Sequence, residues 1–190
     1  MNLQTFYQET SEELIATASM DTGFFLLHRQ GQASILGEPR RFSDPWHKER
    51  ETIVAELCVE LIAKYGYAST LLEPDATLAL ETKNGMQYHN VDLLVRNEDG
   101  APILMFAVVP PAEYDQSREQ VIGGLFRIAE NLSAREQLPL FLVYYTQWHQ
   151  AEATRIRTQV IMYPQFATYE AWKSTGAPYS TTIPHKKEIL

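Results

Sequence analysis

Residues 90–111, NVDLLVRNEDGAPILMFAVVPP, decide the fold of this chain. They contain two apolar runs separated by Asp99-Gly100, a pair that is typical of a tight hairpin turn. The second run, PILMFAVV, is apolar on both faces, which predicts a central strand covered on both sides. The first run is more polar at its start. The stretch therefore predicts two antiparallel strands at the centre of a sheet.

The neighbouring residues extend this pair into a larger unit. Asn84-Gly85 is a second hairpin pair and joins ATLALET to MQYHNVDLLVR, which predicts an antiparallel meander of three strands. Pro110-Pro111 ends the meander. A second helix is expected from about Glu113 to Glu136, and PLFLVYYT then predicts a fourth strand alongside the meander after a helical crossover.

The buried face of that second helix can be predicted from its apolar spacing. The residues are Val121, Ile122, Leu125, Ile128, Ala129 and Leu132. Gly123-Gly124 lies inside the helix and lowers its propensity by about 1 kcal/mol per glycine relative to alanine, which favours close packing against a neighbour.

A first helix precedes the meander and has clear start and stop signals. Ser43-Asp44-Pro45 supplies a capping residue and a proline in the first turn, and Gly66 ends the helix. The apolar residues between them recur at helical spacing, so we expect this helix to pack on a sheet.

The remaining sequence forms extensions at both ends. In residues 1–42, an accessory segment, Thr10 and Glu13 predict a short capped helix through Met20, and FFLLH with ASIL predicts a hairpin around Gly31. Residues 43–148 are the predicted core domain. Residues 149–190, with a weak strand at QVIMY, are a predicted extension that packs on the core or on a partner. The expected fold class is α/β (α+β).

Composition makes several classes of function less favoured. The chain has 190 residues, of which 45% are hydrophobic, and a net charge of -8 with a pI near 5.1. This charge repels phosphate backbones, so nucleic acid is not the favoured partner. No apolar run is long enough to span a membrane, and residues 1–16 have neither the basic start nor the apolar core that is typical of a signal sequence, so the expected location is the cytoplasm. The histidines lack ligand spacing, and Cys58 is interpreted as a buried hydrophobic residue.

Residues 43–146 resemble the N-terminal nuclease domain of type I restriction enzyme R subunits, a branch of the PD-(D/E)XK nuclease superfamily. The resemblance lies in an early helical glutamate, Glu51, with Tyr65-Gly66-Tyr67 at the end of the helix. It continues through Val-Asp-Leu-Leu-Val at residues 91–95, Asp-Gly-x-Pro at residues 99–102, Pro111, and Glu119-Gln120 on the second helix. It implies a restriction-endonuclease-like core of helix, three-strand meander, helix and strand.

The same resemblance implies a catalytic site that this chain has lost. In the family, an aspartate before the hairpin and a Glu-x-Lys triplet after it hold Mg²⁺ and activate water. Asp92 matches the aspartate, but the triplet positions hold Ala107-Val108-Val109. The expectation is therefore a pseudoenzyme without a cofactor, in which Glu51, Asp92, Ala107, Val109 and Gln120 are relic positions. Asp92 is interpreted as a relic or as an acceptor of backbone hydrogen bonds.

Two other functions remain open. A metal-dependent nuclease of DNA restriction or repair, with Mg²⁺ at Asp92, would need replacement groups, and the candidates are Glu81, Lys83, Arg96, Glu113 and Arg118. A non-catalytic DNA-binding module would need a basic face made from Arg118, Arg127, Arg155 and Arg157.

The favoured expectation is a non-catalytic subunit that binds another protein or complex, with a second copy of the chain as an alternative partner. The aromatic residues Phe166, Tyr169, Trp172 and Tyr179 are dense for a terminal segment. Tyr and Trp are enriched where surfaces become buried on association, so these four are the candidate partner-binding residues. The simpler interpretation of these four residues is that they cover the sheet edge or the second helix.

Overall fold

The computed structural model describes residues 3–9, 14–19, 25–29, 32–35, 45–132, 137–150, 153–166 and 168–189, and it describes side chains from residue 49 onward. These residues form a mixed α/β fold in two compact units. One unit comprises Met1–Pro74 together with Pro184–Leu190, and the other is Asp75–Ile183. The division into segments 1–42, 43–148 and 149–190 stays a prediction. Among the described helices, none is both long enough and apolar enough to cross a membrane.

The first unit contains a four-stranded sheet in the order β1-β2-β3-β4. The strands are β1 (Leu3–Glu9), β2 (Leu14–Ser19), β3 (Phe25–Arg29) and β4 (Gln32–Ile35). The expected hairpin is confirmed, because β3 and β4 pair antiparallel. The expected helix through Met20 is wrong: β2 pairs on both sides, with β1 and with β3, and the ladder outweighs the capping signal. Thr10, Glu13 and the linker of residues 39–42 lie outside the described residues.

Helix α1 (Pro45–Ala63) has the apolar face that its sequence predicts. Its buried residues include that face, and Ala55 and Val59 are buried as well: the full set is Ile53, Val54, Ala55, Leu57, Cys58, Val59, Leu61 and Ile62. The expectation that this helix packs on a sheet is confirmed, since α1 contacts β1 and β2. Gly66 has a φ of +77°, the left-handed conformation of a helix stop. The capping residues Ser43 and Asp44 lie outside the described residues.

Residues 184 and 186 form hydrogen bonds with the segment that follows helix α1. The Tyr67 hydroxyl donates to the Pro184 carbonyl at 2.9 Å, and the Lys186 amide donates to the Tyr65 carbonyl at 3.0 Å. Helix α4 (Lys186–Ile189) follows. Burial raises the pKa of Tyr67 well above its ordinary value, with the negative charge of Glu188 as a second cause.

The second unit is organised around a five-stranded mixed sheet in the order β5-β6-β7-β8-β9. The strands are β5 (Leu72–Thr82), β6 (Gly85–Arg96), β7 (Pro102–Val108), β8 (Phe141–Gln150) and β9 (Ala153–Met162). Strand β7 occupies the central position, as its apolar sequence predicts. Its neighbours are β6, which runs antiparallel to it, and β8, which runs parallel.

Both predicted turns lie where the sequence places them. Gly85 has a φ of +102° and follows the turn between β5 and β6, and Gly100 has a φ of +83° in the turn between β6 and β7. In the second turn the Gly100 amide donates to the Asn97 carbonyl at 3.0 Å, and the Asn97 side chain accepts from the Ala101 amide at 2.7 Å. The left-handed conformation at each glycine is the reason that these turns need glycine.

The crossover from β7 to β8 is helical, as expected. A short 3₁₀ turn (Pro111–Glu113) leads into α2 (Tyr114–Glu130). The helix ends six residues before the expected Glu136, and residues 133–136 are not described. Its buried residues include Ile122, Leu125, Phe126 and Ala129, which confirms the predicted face and adds Phe126.

Strand β9 and helix α3 (Tyr169–Ser174) complete the unit. The weak strand expected at QVIMY is part of β9, which pairs antiparallel with β8 over ten residue pairs. Trp172 on α3 is 1% exposed and packs in the same core cluster as Phe126. The C-terminal extension therefore adds a long edge strand and a buried tryptophan to the second unit.

Candidate functional site

Asp92 has a defined structural contact on β6. Its Oδ2 accepts a hydrogen bond from the Val108 amide at 2.6 Å. The pairing of β6 with β7 includes Leu93 opposite Phe106, so Asp92 lies directly beyond this end of the ladder. A carboxylate that accepts an amide at this distance makes a charge-assisted hydrogen bond, which is stronger than one between neutral groups.

The positions of the Glu-x-Lys triplet lie in the apolar interior. Val108 is 1% exposed, Val109 is 5% exposed, and Ala107 is partly buried. Ala107 lies opposite Tyr144 and Val108 opposite Tyr145 in the parallel ladder with β8. An apolar side chain at each position avoids the desolvation cost of a buried carboxylate or ammonium group.

The other two relic positions are on helices. Glu51 belongs to α1 in the first unit, where Arg50 Nη2 lies 3.4 Å from its Oε1. Gln120 belongs to α2 in the second unit and is exposed.

Burial raises the pKa of the Cys58 thiol to about 12, and the negative charge of Glu51 is a second cause.

The candidate replacement groups are found in separate places within the second unit. Glu81 and Lys83 are exposed near the turn between β5 and β6, whereas Arg96 donates to the Gly100 carbonyl at 3.0 Å in the next turn. Glu113 and Arg118 lie near the start of α2. Among the described residues, no three His, Cys, Asp or Glu side chains come close enough to hold a metal ion.

A hydroxyl cluster joins the first turns of α2 to β8. The Tyr144 hydroxyl donates to the Tyr114 carbonyl at 2.6 Å, and the Ser117 hydroxyl donates to the Glu113 carbonyl at 2.9 Å. The two hydroxyl oxygens also lie 2.9 Å apart. Each hydroxyl carries only one proton, although there are three short contacts. Both protons are donated to backbone carbonyls, which hold the two hydroxyls in place. This arrangement anchors the helix on the sheet.

The tyrosine rings around this cluster are stacked and desolvated. Tyr114 and Tyr144 have ring centroids 4.4 Å apart with an interplanar angle of 17°. Burial raises the pKa of Tyr114 to about 12, while hydrogen bonding to Gln159 and the charge of Arg157 act in the opposite direction. Burial also raises the pKa of Tyr144. Both phenols are therefore neutral near pH 7.

Two arginines lie near aromatic rings of the second unit, and both engage protein groups. Arg157 on β9 makes two hydrogen bonds to the Asp115 carboxylate, at 2.7 and 2.9 Å, and its guanidinium carbon lies 4.4 Å from the centroid of the Tyr114 ring. Arg118 donates through Nε to Gln159 Oε1 at 3.0 Å. Of the four arginines proposed as a basic face, one is thus neutralised by a carboxylate. The sequence separates Arg157 from Asp115 by 42 positions, so no local pattern could identify this pair.

The four aromatic residues predicted to bind a partner differ in exposure. Trp172 is 1% exposed, donates through its indole N–H to the Pro178 carbonyl at 2.8 Å, and lies 5.6 Å from the Phe126 ring. Phe166 and Tyr169 are partly buried against the same core, whereas Tyr179 is 49% exposed. The guanidinium carbon of Arg118 lies 5.9 Å from the centroid of the Tyr179 ring. All four therefore make contacts inside the second unit, and their docking to a partner stays a prediction.

Comparison with known proteins does not assign the chain to a family. The chain matches no protein-family model, and no curated protein matches it. The resemblance to restriction nucleases therefore depends on the residues quoted from the sequence.

Proposed function

We propose that this chain is a non-catalytic protein of the restriction-nuclease-like class that acts in the cytoplasm as a protein-binding or structural subunit of a larger assembly. One observation carries the proposal: the Asp92 carboxylate accepts the Val108 amide at 2.6 Å. In the family that the sequence resembles, this aspartate is a metal ligand. Here it has a role within the sheet.

The chemistry of the neighbouring positions supports the same proposal. Mg²⁺ dehydrates reluctantly and is usually held by carboxylates together with substrate phosphates. Ala107 and Val109 offer neither a second carboxylate nor a positive charge beside Asp92. Loss of one positioned electrostatic group typically lowers a catalytic rate by about 10² to 10³, and here two are replaced.

A cleavage assay tests the absence of catalysis. Wild-type protein and Asp92→Asn are each incubated with supercoiled and linear DNA in the presence of Mg²⁺ or Mn²⁺, followed by gel analysis. The proposal expects no cleavage above the level given by Asp92→Asn, which keeps the shape of the side chain and removes its charge. Metal-dependent cleavage that is lost in Asp92→Asn would instead support a nuclease with a migrated active site.

Gentle affinity purification from the native organism, without nuclease treatment, tests the subunit role. A stoichiometric protein partner supports the proposal and identifies the pathway. A monomer that co-purifies with no protein contradicts it. Bound nucleic acid without a protein partner favours the nuclease or the DNA-binding module, and a steep salt dependence of that affinity would distinguish backbone contacts from other binding.

A further inference from the structure

Arg118 on α2 is held in place by side chains of the second unit. Its Nε donates to Gln159 Oε1 at 3.0 Å, and Gln159 is 6% exposed. Its guanidinium carbon lies 5.9 Å from the centroid of the Trp172 ring and 5.9 Å from that of the Tyr179 ring. Both distances fall within the roughly 6 Å over which an aromatic ring attracts a cation. The guanidinium is therefore positioned by the protein itself.

The two terminal nitrogens of Arg118 remain available to a ligand. Among the described residues, neither Nη1 nor Nη2 has a hydrogen-bond acceptor, since the contact of Arg118 with Gln159 is made through Nε. Arg118 is partly exposed, and neither terminal nitrogen is buried. The N–H groups of a guanidinium form a rigid fork that matches the two oxygens of a carboxylate. Arg118 thus presents donors to the solvent in a fixed arrangement.

The neighbouring cations are already balanced by carboxylates. Arg157 makes two hydrogen bonds to Asp115, and Lys173 Nζ lies 3.3 Å from Glu119 Oε2. Each of these pairs carries no net charge. Arg118 forms no ion pair with a described residue, so it adds one positive charge to this surface. A group with a single negative charge would balance it.

We infer that Arg118 binds a carboxylate group of a partner protein through Nη1 and Nη2. This inference rests on the proposed role as a protein-binding subunit, and it names the residue and the chemistry of the partner. Pairs of arginine and carboxylate are frequently joined by two parallel hydrogen bonds, which are stronger than bonds between neutral groups. Tyr179 is 49% exposed beside the guanidinium and offers apolar surface to the rest of the partner. Arginine and tyrosine are enriched among the residues that dominate binding energy at interfaces.

Two other anions fit this site less well. A phosphorylated side chain carries close to two negative charges near pH 7, and Arg118 alone balances only part of that charge. DNA binding needs several cations along the phosphate backbone, whereas Arg157 and Lys173 are paired and the chain has a net charge of -8. A carboxylate matches both the charge and the shape of the fork.

The test uses a phage-displayed library of random nine-residue peptides. Peptides are selected on the wild-type protein after removal of those that bind Arg118→Gln. We expect an Asp or Glu at one fixed position of the enriched peptides. A synthetic copy should lose at least about tenfold in affinity to Arg118→Gln, and at least about tenfold to the wild type when its acidic residue is replaced by the corresponding amide. Arg118→Lys should also bind more weakly, because lysine keeps the charge and loses the fork.

A matched control separates the fork from the overall charge. Gln116 is exposed on α2, two positions before Arg118, and residues two apart on a helix do not face each other. Gln116→Glu changes the net charge by the same amount as Arg118→Gln, and it should change the affinity by less than about twofold. Thermal unfolding of each variant checks that it is folded. The amide-substituted peptide is measured on the wild type, so this comparison stands even if Arg118→Gln is unstable.

Several outcomes would overturn the inference. These are no enriched peptide, enriched peptides without an acidic residue, an equal loss of affinity in Gln116→Glu, or tighter binding when phosphoserine replaces the acidic residue of the peptide. Native affinity purification separates the two proposals. A partner retained equally by Arg118→Gln overturns this site alone, whereas a wild type without any partner overturns the subunit role.

Discussion

The Val108 amide donates to Asp92 Oδ2 at the place where β6 and β7 separate. Leu93 pairs with Phe106, so a continued register would place Val91 opposite Val108 and give this amide to a backbone carbonyl. The carboxylate of Asp92 accepts it instead. The aspartate therefore ends the ladder and satisfies the last amide of β7 that points towards β6.

Removing the Asp92 carboxylate should destabilise the protein. A hydrogen bond to a charged group contributes about 1.5 to 3 kcal/mol, and Asp92 is partly buried, so Asp92→Ala should lower the free energy of unfolding by about 1 to 3 kcal/mol. Asp92→Asn retains an acceptor oxygen and should lose less. Urea denaturation followed by circular dichroism measures both values. Equal stability of Asp92→Ala and the wild type would contradict the structural role of this contact.

Truncating Trp172 should cost far more than truncating Tyr179. Trp172 is almost completely buried against Phe126, and Trp→Ala changes in cores cost about 3 to 5 kcal/mol. Tyr179 is 49% exposed, so Tyr179→Ala should change the free energy of unfolding by less than about 1 kcal/mol. Thermal unfolding and urea denaturation of the wild type and both variants measure the two changes in the free energy of unfolding. A small loss for Trp172→Ala would show that this side chain is not a core residue.

Replacing Gly124 by alanine and replacing Gly176 by alanine should change the stability of the protein in opposite directions. A Cβ at Gly124 would meet nothing within 4 Å, and alanine favours a helix interior, so Gly124→Ala should stabilise the protein by about 1 kcal/mol. Gly176 has a φ of +88°, which strains any side chain, so Gly176→Ala should destabilise it by about 1 kcal/mol. The midpoint of urea denaturation should therefore rise for Gly124→Ala and fall for Gly176→Ala. A loss of stability in Gly124→Ala would contradict the open space beside α2.

The ion pair between Asp115 and Arg157 should give Asp115 a measurable pH signature. Hydrogen bonding to Arg157 lowers the pKa of Asp115 below its ordinary value of 3.8, and the charge of Arg157 acts in the same direction. A lowered folded-state pKa stabilises the protein above the unfolded value near 3.8, and this contribution is lost as the pH falls through the folded value. Titration by nuclear magnetic resonance should show the pKa of Asp115 rising towards 3.8 in Arg157→Gln. An unchanged pKa would mean that the pair does not persist in solution.

Cys58 should react with thiol reagents only after unfolding. Burial raises its pKa from 9.0 to about 12, so the folded state holds the neutral thiol. Because the pKa of Cys58 is higher in the folded state than in the unfolded state, protonation of the thiol favours the folded state. This contribution to the free energy of unfolding is present in full below pH 9.0 and is lost as the pH rises towards about 12. At pH 8, a disulfide reagent should modify the wild type only in urea, whereas Tyr88→Cys should react at once through its exposed new thiol. Rapid modification of the native wild type would contradict the burial of Cys58.

Local sequence chemistry predicts much of the fold. Gly66, Gly85 and Gly100 each adopt a positive φ where the sequence indicates a stop or a turn. The apolar spacing of α2 identifies its buried face because a helix repeats every 3.6 residues on one side. These signals lie within a few residues of the feature that they predict.

Features that depend on distant pairs could not be predicted in the same way. The strand Leu14–Ser19 is expected as a helix from its cap, but its conformation follows from pairing with two other strands. The weak strand at QVIMY extends to ten residues because β8 pairs with its polar half. The contact of Asp92 with Val108 depends on where a ladder ends.

The parallel pairing of β7 with β8 has a consequence for the order of folding. The hairpins of β6 with β7 and of β8 with β9 each join strands that are close in sequence, whereas β7 and β8 meet only after a crossover through residues 109–140. The loss of chain entropy on closing a long loop precedes the gain from its contacts, so non-local parallel pairing is intrinsically slow. We therefore expect two hairpins to form early and α2 to bring them together, so that joining β7 to β8 sets the rate at which the second unit acquires its core.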